Sequence, residues 1–293
     1  MGALIVMPMR WIVLLAGLGV LLPSLALADN GRLLATGGAS SIEGAAGGGI
    51  TPWAVLGGYG EQGEWGVSAF ATTVNLPDYR LDVAGLALAY DNRVELSFAR
   101  QRLDLGSLVH TLNLPEDNLG QDVLGLKLRL FGDLIYDQWP QVSLGVQYKH
   151  QRNFLIPSLV GAQRDRDTEG YLSASRLLLG AAFGYNLLLN GGVRYSRANE
   201  TGLLGFGGDR RDSRSLLKEG SLAVLFNPRW ALGLEYRQKP DNLSFAGESD
   251  WADLFLGYFP NKHLSLVLAY ARLGEIAGLD HQNGPYLSLQ GSF

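Results

Sequence analysis

Apolar and polar residues alternate with a period of two along much of the chain. In 122–131, Leu124, Leu126, Leu128 and Leu130 share one phase, with Gly125, Lys127 and Arg129 on the other. In 141–150, Val142, Leu144, Val146 and Tyr148 oppose Gln141, Ser143, Gly145, Gln147 and Lys149. In 229–238, Trp230, Leu232, Leu234 and Tyr236 oppose Gly233, Glu235 and Arg237, and 263–272 sets Leu264, Leu266, Leu268 and Tyr270 against smaller residues. The last ten residues repeat the pattern, with Leu287, Leu289, Gly291 and Phe293 in phase. Period two means strands with one apolar face. About ten residues is the length of a tilted strand that crosses a bilayer.

The connectors alternate in length. Short ones fall at 91–93, 227–229 and 260–262, and are built from Asp, Asn, Pro and basic residues. Long ones run roughly over 104–120, 151–169, 199–215, 239–248 and 273–283. Short turns on one side and long loops on the other predict an all-β fold: a transmembrane antiparallel β-barrel with its turns in the periplasm. Strands are predicted at 50–59, 64–74, 80–90, 93–103, 121–131, 141–150, 170–179, 187–198, 216–226, 230–238, 250–259, 263–272 and 284–293. That count is odd, and bacterial single-chain barrels have even counts. With 32–37 as a first strand the barrel has fourteen strands, which is the expectation. Without 50–59 in the wall it has twelve. An unpaired backbone group in hydrocarbon costs several kcal/mol, so the last strand must pair with the first. Phe293 then ends a wall strand at the periplasmic interface. Tyr90, Phe226, Trp230, Tyr258 and Phe293 fall at one end of the outward phases, and Tyr148, Tyr195, Tyr236 and Tyr270 at the other. Two aromatic belts suit a lipid-facing barrel, whereas a soluble sandwich requires none.

Composition agrees. The 293 residues are 47% apolar and 18% charged, against about 25% charged in soluble domains. The absence of cysteine excludes disulfides, thiolate metal sites and a cysteine nucleophile. A formal charge of −4 leaves no basic footprint for nucleic acid. Residues 1–28 carry one charge, Arg10, then an apolar run, then Ala26-Leu27-Ala28 before Asp29. That predicts a cleaved signal peptide, the rival being an uncleaved anchor. Residues 29–49 then form a Gly-rich first strand or plug segment, and 50–293 the barrel.

The blocks LATGGASSIEGAAGGGITPWAVLGGYG (34–60), LPDYRLD (76–82), RVELSFARQ (93–101), YDQWPQVSLGVQYK (136–149) and LLGFGGD (203–209) carry a resemblance. They resemble an uncharacterised family of proteobacterial proteins, known as a domain of unknown function and assigned to the outer membrane. The resemblance implies a barrel and brings no catalytic residue. The terminal Phe293 also resembles the C-terminal aromatic signal of outer-membrane barrels that the assembly machinery reads. The implied partners are outer-membrane lipid and lipopolysaccharide, that machinery, and small solutes.

Catalytic chemistry finds little support. Gly58-Tyr59-Gly60-Glu61-Gln62-Gly63 fits G-x-G-x-x-G but precedes a strand-like stretch, where a dinucleotide site needs a helix. Asp165-Arg166-Asp167-Thr168-Glu169-Gly170 begins like a calcium loop, yet its twelfth position is Arg176 instead of Glu, so a solvated outer loop is expected. The histidines His110, His150, His263 and His281 stand in no hydrolase or zinc motif. No cofactor, metal or enzyme activity is expected. The inward phases say more. Lys127, Arg129, Arg176 and Arg194 fall on one arc, and Glu219, Glu235, Arg237 and Asp253 on the next. Charged rings in a low-dielectric wall set pore selectivity. Lys127, Arg129, Arg194, Glu235, Arg237 and Asp253 are therefore the expected pore-lining residues of a channel for small polar solutes. The alternative is a closed barrel, its charges paired internally, that acts through its outer loops; a barrel enzyme that pairs a strand Ser with a His through folding is a distant third.

Overall fold

The structure, a computed structural model, describes residues 34–106, 109 and 114–293. The expected signal peptide (1–28), residues 29–33 and His110 lie outside the described residues. Two short strands, β1 (Ala39–Ser40) and β2 (Ala46–Gly47), pair with each other in an antiparallel ribbon. The wall follows: β3 (Trp65–Asn75), β4 (Arg80–Tyr90), β5 (Val94–Asp104), β6 (Asn118–Phe131), β7 (Gln141–Gln151), β8 (Arg166–Ala182), β9 (Tyr185–Ser196), β10 (Ser215–Asn227), β11 (Trp230–Arg237), β12 (Trp251–Asn261), β13 (Leu264–Arg272) and β14 (Asn283–Ser292). One short helix, α1 (Leu155–Leu159), lies in the loop after β7. The twelve wall strands form one closed barrel in which each pairs with its sequence neighbours and β14 returns to β3. The seam runs from Tyr286↔Val74 to Ser292↔Ser68, and Phe293 extends it by exchanging backbone hydrogen bonds with Val67 at 2.6 and 2.7 Å. No sheet edge is left open to hydrocarbon, as a spanning sheet requires.

The connectors sort to two ends. Turns at 91–93, 132–140, 183–184, 228–229 and 262–263 define the turn end. The segments 105–117, 152–165, 197–214, 238–250 and 273–282, with the tight 76–79, define the loop end. The leucine phases face outward: Leu124, Leu126, Leu128, Leu130, Leu232, Leu234, Leu254 and Leu268 are all exposed. Their exposure fits lipid, since apolar side chains there replace no protein contact. Both aromatic belts are present. Trp65, Tyr90, Phe226, Trp230 and Phe293 are exposed at the turn end, and Tyr148, Tyr195, Tyr236 and Tyr270 toward the loop end. Trp65 packs on Tyr90 and Trp230 on Tyr258, with ring centroids 4.6 and 4.3 Å apart.

Twelve strands, and not fourteen, make the wall. The expected strand 50–59 and the described part of 32–37 belong instead to a segment, residues 35–60, that is buried throughout. The reason is steric and chemical. The segment is rich in Gly and Ala, and Ile50, Trp53 and Val55 keep no strict two-residue period. It therefore has no continuous lipid face, but it is slim enough to pass among inward side chains. At Gly48 a side chain would run into the Glu235 carboxylate. Two further expectations change. Arg166 to Gly170 opens β8 instead of lying in a solvated loop, so Glu169 points inward and is buried. Arg176 lies on the outward phase of β8, where Nη1 donates to the Trp139 carbonyl at 3.0 Å.

The outward phase yields a direct test. Leu126→Arg places a guanidinium on the middle of the lipid face and is expected to cost roughly 2–4 kcal/mol. Denaturant titration of the protein folded into lipid vesicles reads this out, and an unchanged midpoint would contradict the orientation of the wall.

Candidate functional site: the barrel lumen

The inward phases of the wall and residues 35–60 together fill the lumen. The segment rises from the turn end, reverses at Ser41–Gly44 and returns, which leaves it with few backbone partners of its own. Gly44 N donates to the Ser41 carbonyl at 2.8 Å and Ser41 N to the Ala45 carbonyl at 2.9 Å to make the reversal. Buried backbone groups need partners, and the wall supplies them from side chains. Lys127 Nζ donates to the carbonyls of Ala46 and Val55, both at 2.8 Å. Glu95 accepts from the amides of Ala46 and Gly57 at 3.2 and 2.8 Å and pairs with Lys127 at 3.3 Å. Gln141 Nε2 and Ser143 Oγ both donate to the Ala54 carbonyl at 2.6 Å. Glu235 accepts from the Ile50 amide at 2.9 Å and from Thr51 Oγ1 at 2.5 Å. Gln101 Nε2 donates to the Ile42 carbonyl at 2.8 Å.

Toward the turn end the inner wall becomes apolar. Leu177, Leu188, Leu225, Phe255, Phe259 and Val267 meet Ala35, Trp53 and Val55 around a cavity of about 30 Å³.

Toward the loop end the charges concentrate. Glu43, at the reversal, accepts from Lys149 Nζ at 2.5 Å and from Arg237 Nη2 at 2.7 Å, and faces Arg194 Nη2 at 3.4 Å. Glu169 pairs with Arg194 and, at 2.6 Å, with Lys149. Glu219 pairs with Arg194 at 2.6 Å and with Arg237 at 3.4 Å. All six side chains are buried. Above them the loop 197–214 bends inward. Glu200 and Thr201 occupy the left-handed region at φ 44° and 59°, which costs such residues about 1–3 kcal/mol each and persists only where the surroundings impose it. The Thr201 carbonyl accepts from Lys149 at 3.0 Å and from Gln121 at 3.3 Å, which holds the bend in place. Lys239 pairs with Glu200 at 2.6 Å and with Glu248 at 3.2 Å, a buried triad that ties this loop to 238–250.

Of the residues expected to line a pore, Lys127, Arg194, Glu235, Arg237 and Asp253 point inward and are buried. The structure brings Arg194 and Arg237 into one cluster. Lys127 belongs to a separate group with Glu95, and Glu235 faces Asp253 in the register of β11 with β12. Arg129 sits apart at the turn end, half-buried, and pairs with Asp133 at 3.2 Å. Glu43, Glu95, Lys149 and Glu169 complete the site and were not singled out in the sequence. Lys149 was legible, because it shares the polar phase of 141–150. Glu43 carried no signal in its Gly-rich surroundings.

Among the described histidines, His150 lies 3.6 Å from Asp165, and His263 Nδ1 lies 2.9 Å from the Ser292 carbonyl. Among the described residues there is no group of three or more His, Asp or Glu side chains able to hold a metal.

A closed antiparallel barrel, apolar and aromatic-belted outside and polar within, defines a membrane-spanning barrel of the outer-membrane type. The chain belongs to the family described as protein of unknown function (DUF3034), which matches residues 36–290, the buried segment and nearly all of the wall. Among curated proteins, none matches it in sequence. Among solved structures it is similar to the KdgM porin, with 10% identity and a TM-score of 0.48 over 77% of this chain and 99% of that one. It is similar to the NanC porin, with 11% identity and a TM-score of 0.48 over 78% and 98%. The outer membrane phospholipase A from Escherichia coli is also similar, with 11% identity and a TM-score of 0.37 over 81% and 93%.

The loop triad gives the protein a pH dependence outside the membrane. Burial and the neighbouring Glu200 charge push the Glu248 carboxyl up to about 8, against the pull of Lys239. Burial and Glu275 raise Glu200 as well, Lys239 again opposing. A raised carboxyl favours the folded loops while it stays protonated. The stabilisation is complete below the ordinary value of 4.5 and is lost as pH rises through about 8. Hydrogen exchange in 197–214 and 238–250 should therefore accelerate across that window beyond its intrinsic pH dependence. Glu248→Gln should flatten the rise.

Proposed function

We propose that the protein is an outer-membrane channel for small polar solutes, held shut in this conformation by residues 35–60. The observation that carries this reading is the chemistry of the contact between segment and wall. Midway along the barrel the segment is held by hydrogen bonds and charges from Lys127, Glu95, Glu235 and Arg237, while apolar contacts of Ala35, Trp53 and Val55 seal the turn end. Partners for the segment backbone account for Lys127, Glu95 and Glu235, but the ion pairs of Arg194 with Glu169 and Glu219 bond none of that backbone, and in a permanently dry interior apolar residues of the same volume would stabilise as well or better. A wall that meets water whenever the segment leaves requires these groups.

On this reading Lys127, Arg194, Glu235, Arg237 and Asp253 line the open lumen, and Arg129 stands at its turn-end mouth. Their role is electrostatic: they set which ions and polar solutes pass. The turn end faces the periplasm, where Phe293 serves the assembly machinery, and the loop end meets lipopolysaccharide. A second reading, a closed barrel that acts through its outer loops, is favoured by the Glu200–Lys239–Glu248 triad, which orders two loops over the mouth.

Planar-bilayer recording separates the two. The intact protein should be silent or open only in brief events. Loosening the segment with Lys127→Glu, which removes both carbonyl contacts and sets like charges beside Glu95, should produce discrete ohmic steps with a shift toward cation selectivity. A chain lacking residues 35–60 should conduct continuously. If it folds as a barrel and passes no current, the closed reading replaces the channel.

A further inference from the structure

The cluster around Glu43 has an order that single ion pairs do not explain. Five consecutive wall strands each place one charged side chain in it: Lys149 on β7, Glu169 on β8, Arg194 on β9, Glu219 on β10 and Arg237 on β11. The signs alternate along this arc and both ends are positive. The wall therefore contributes three cations and two carboxylates, an excess of one positive charge, all of it buried. The sixth member, Glu43, comes from the segment inside and brings the cluster to neutrality. An uncompensated buried charge is strongly destabilising, so the wall calls for one anionic group at this place.

Arg194 and Lys149 are held by wall and loop partners that do not belong to the segment. Arg194 donates to Gln147 at 2.7 Å, pairs with Glu169 and Glu219, and lies 5.0 Å from the centre of the Tyr171 ring. Lys149 is fixed by Glu169 and the Thr201 carbonyl. Arg237 is fixed in part by Glu219 and in part by the Ile50 carbonyl, which belongs to the segment. A site built in advance loses little ordering entropy when it takes a ligand.

We propose that this arc is a binding site for the carboxylate of a small monoanionic solute, and that Glu43 occupies it as a tethered stand-in while the channel is shut. The inference rests on the channel reading and adds the solute class: small organic monocarboxylates. A single carboxylate cancels the excess charge. A dianionic phosphate would leave the cluster one charge negative, and a cation would meet three like charges. Solute and segment compete for the same three donors, so a rising monocarboxylate concentration favours the released segment.

Truncation with chemical rescue tests this on the full-length protein. Glu43→Ala removes the side chain beyond Cβ, a group the size of acetate, and leaves the excess charge in place. Its folding equilibrium should weaken in chloride. Acetate at matched ionic strength should restore it, with the folded-to-unfolded ratio rising about tenfold for each tenfold rise in acetate beyond the dissociation constant. The intact protein, its site already filled, should show little response. Glu43→Gln keeps the space filled by a neutral group and should be weakened without acetate rescue. If Glu43→Ala does not refold in chloride, the refolded yield in acetate is the same readout. Absent rescue, or equal rescue by chloride or methylammonium, overturns the site. The channel reading fails separately. Rescue by acetate with no conductance in any variant leaves the site inside a closed barrel, whereas conductance without rescue leaves a channel with no carboxylate site.

Discussion

Everything in this molecule follows from the need of every backbone N–H and C=O to find a partner where water is absent. In hydrocarbon that need closes the sheet, and the β14–β3 seam with its Phe293 extension is where closure is made. Inside the cylinder the same need acts on the buried segment, whose own pairing is limited to β1–β2 and a few turn bonds such as Ile42 N to Gly49 O and Trp53 N to Ala46 O. The wall answers with side chains: Lys127, Gln141 and Ser143 for carbonyls, Glu95 and Glu235 for amides. Charged residues in the lumen are thus first of all partners for an irregular backbone, and only then a field.

The outer surface was readable from sequence because lipid imposes one rule on every strand. All twelve wall strands stand within a few residues of their expected places, and both aromatic belts fall where the alternation put them. The strand count failed on a segment that the rule does not govern. Residues 50–59 are apolar and bounded by glycines, as a strand would be, but they turn inward and are met from several sides at once. Nothing in local spacing distinguishes a strip that faces lipid from one that faces a crowded lumen. Arg176 failed for a smaller reason: it shares the outward phase of Leu172 and Leu178 on β8, while Ser173, Ser175 and Leu177 point inward.

The lumen was legible as chemistry and illegible as connectivity. The sequence placed Arg194, Glu219, Glu235, Arg237 and Asp253 on inward phases, but not which of them meet. Arg194 reaches Glu219 on the adjacent strand and Glu43 on the segment inside. The alternating arc of Lys149, Glu169, Arg194, Glu219 and Arg237 exists only once five strands stand side by side in their registers. Long-range pairing of this kind depends on strand neighbours that no single segment encodes.

The reversal at Ser41–Gly44 lies deep in the cylinder, while the chain joins the wall at the opposite rim, where Trp65 pairs with Tyr90. Residues 35–60 precede the first wall strand and end up encircled by all twelve. The vessel must either be built around its contents, the last staves fitted after the cork is in place, or be filled afterwards through the rim that carries the tight turns. If it is filled afterwards, the segment enters by the rim where its chain joins the wall, and on the channel reading it leaves by that same rim.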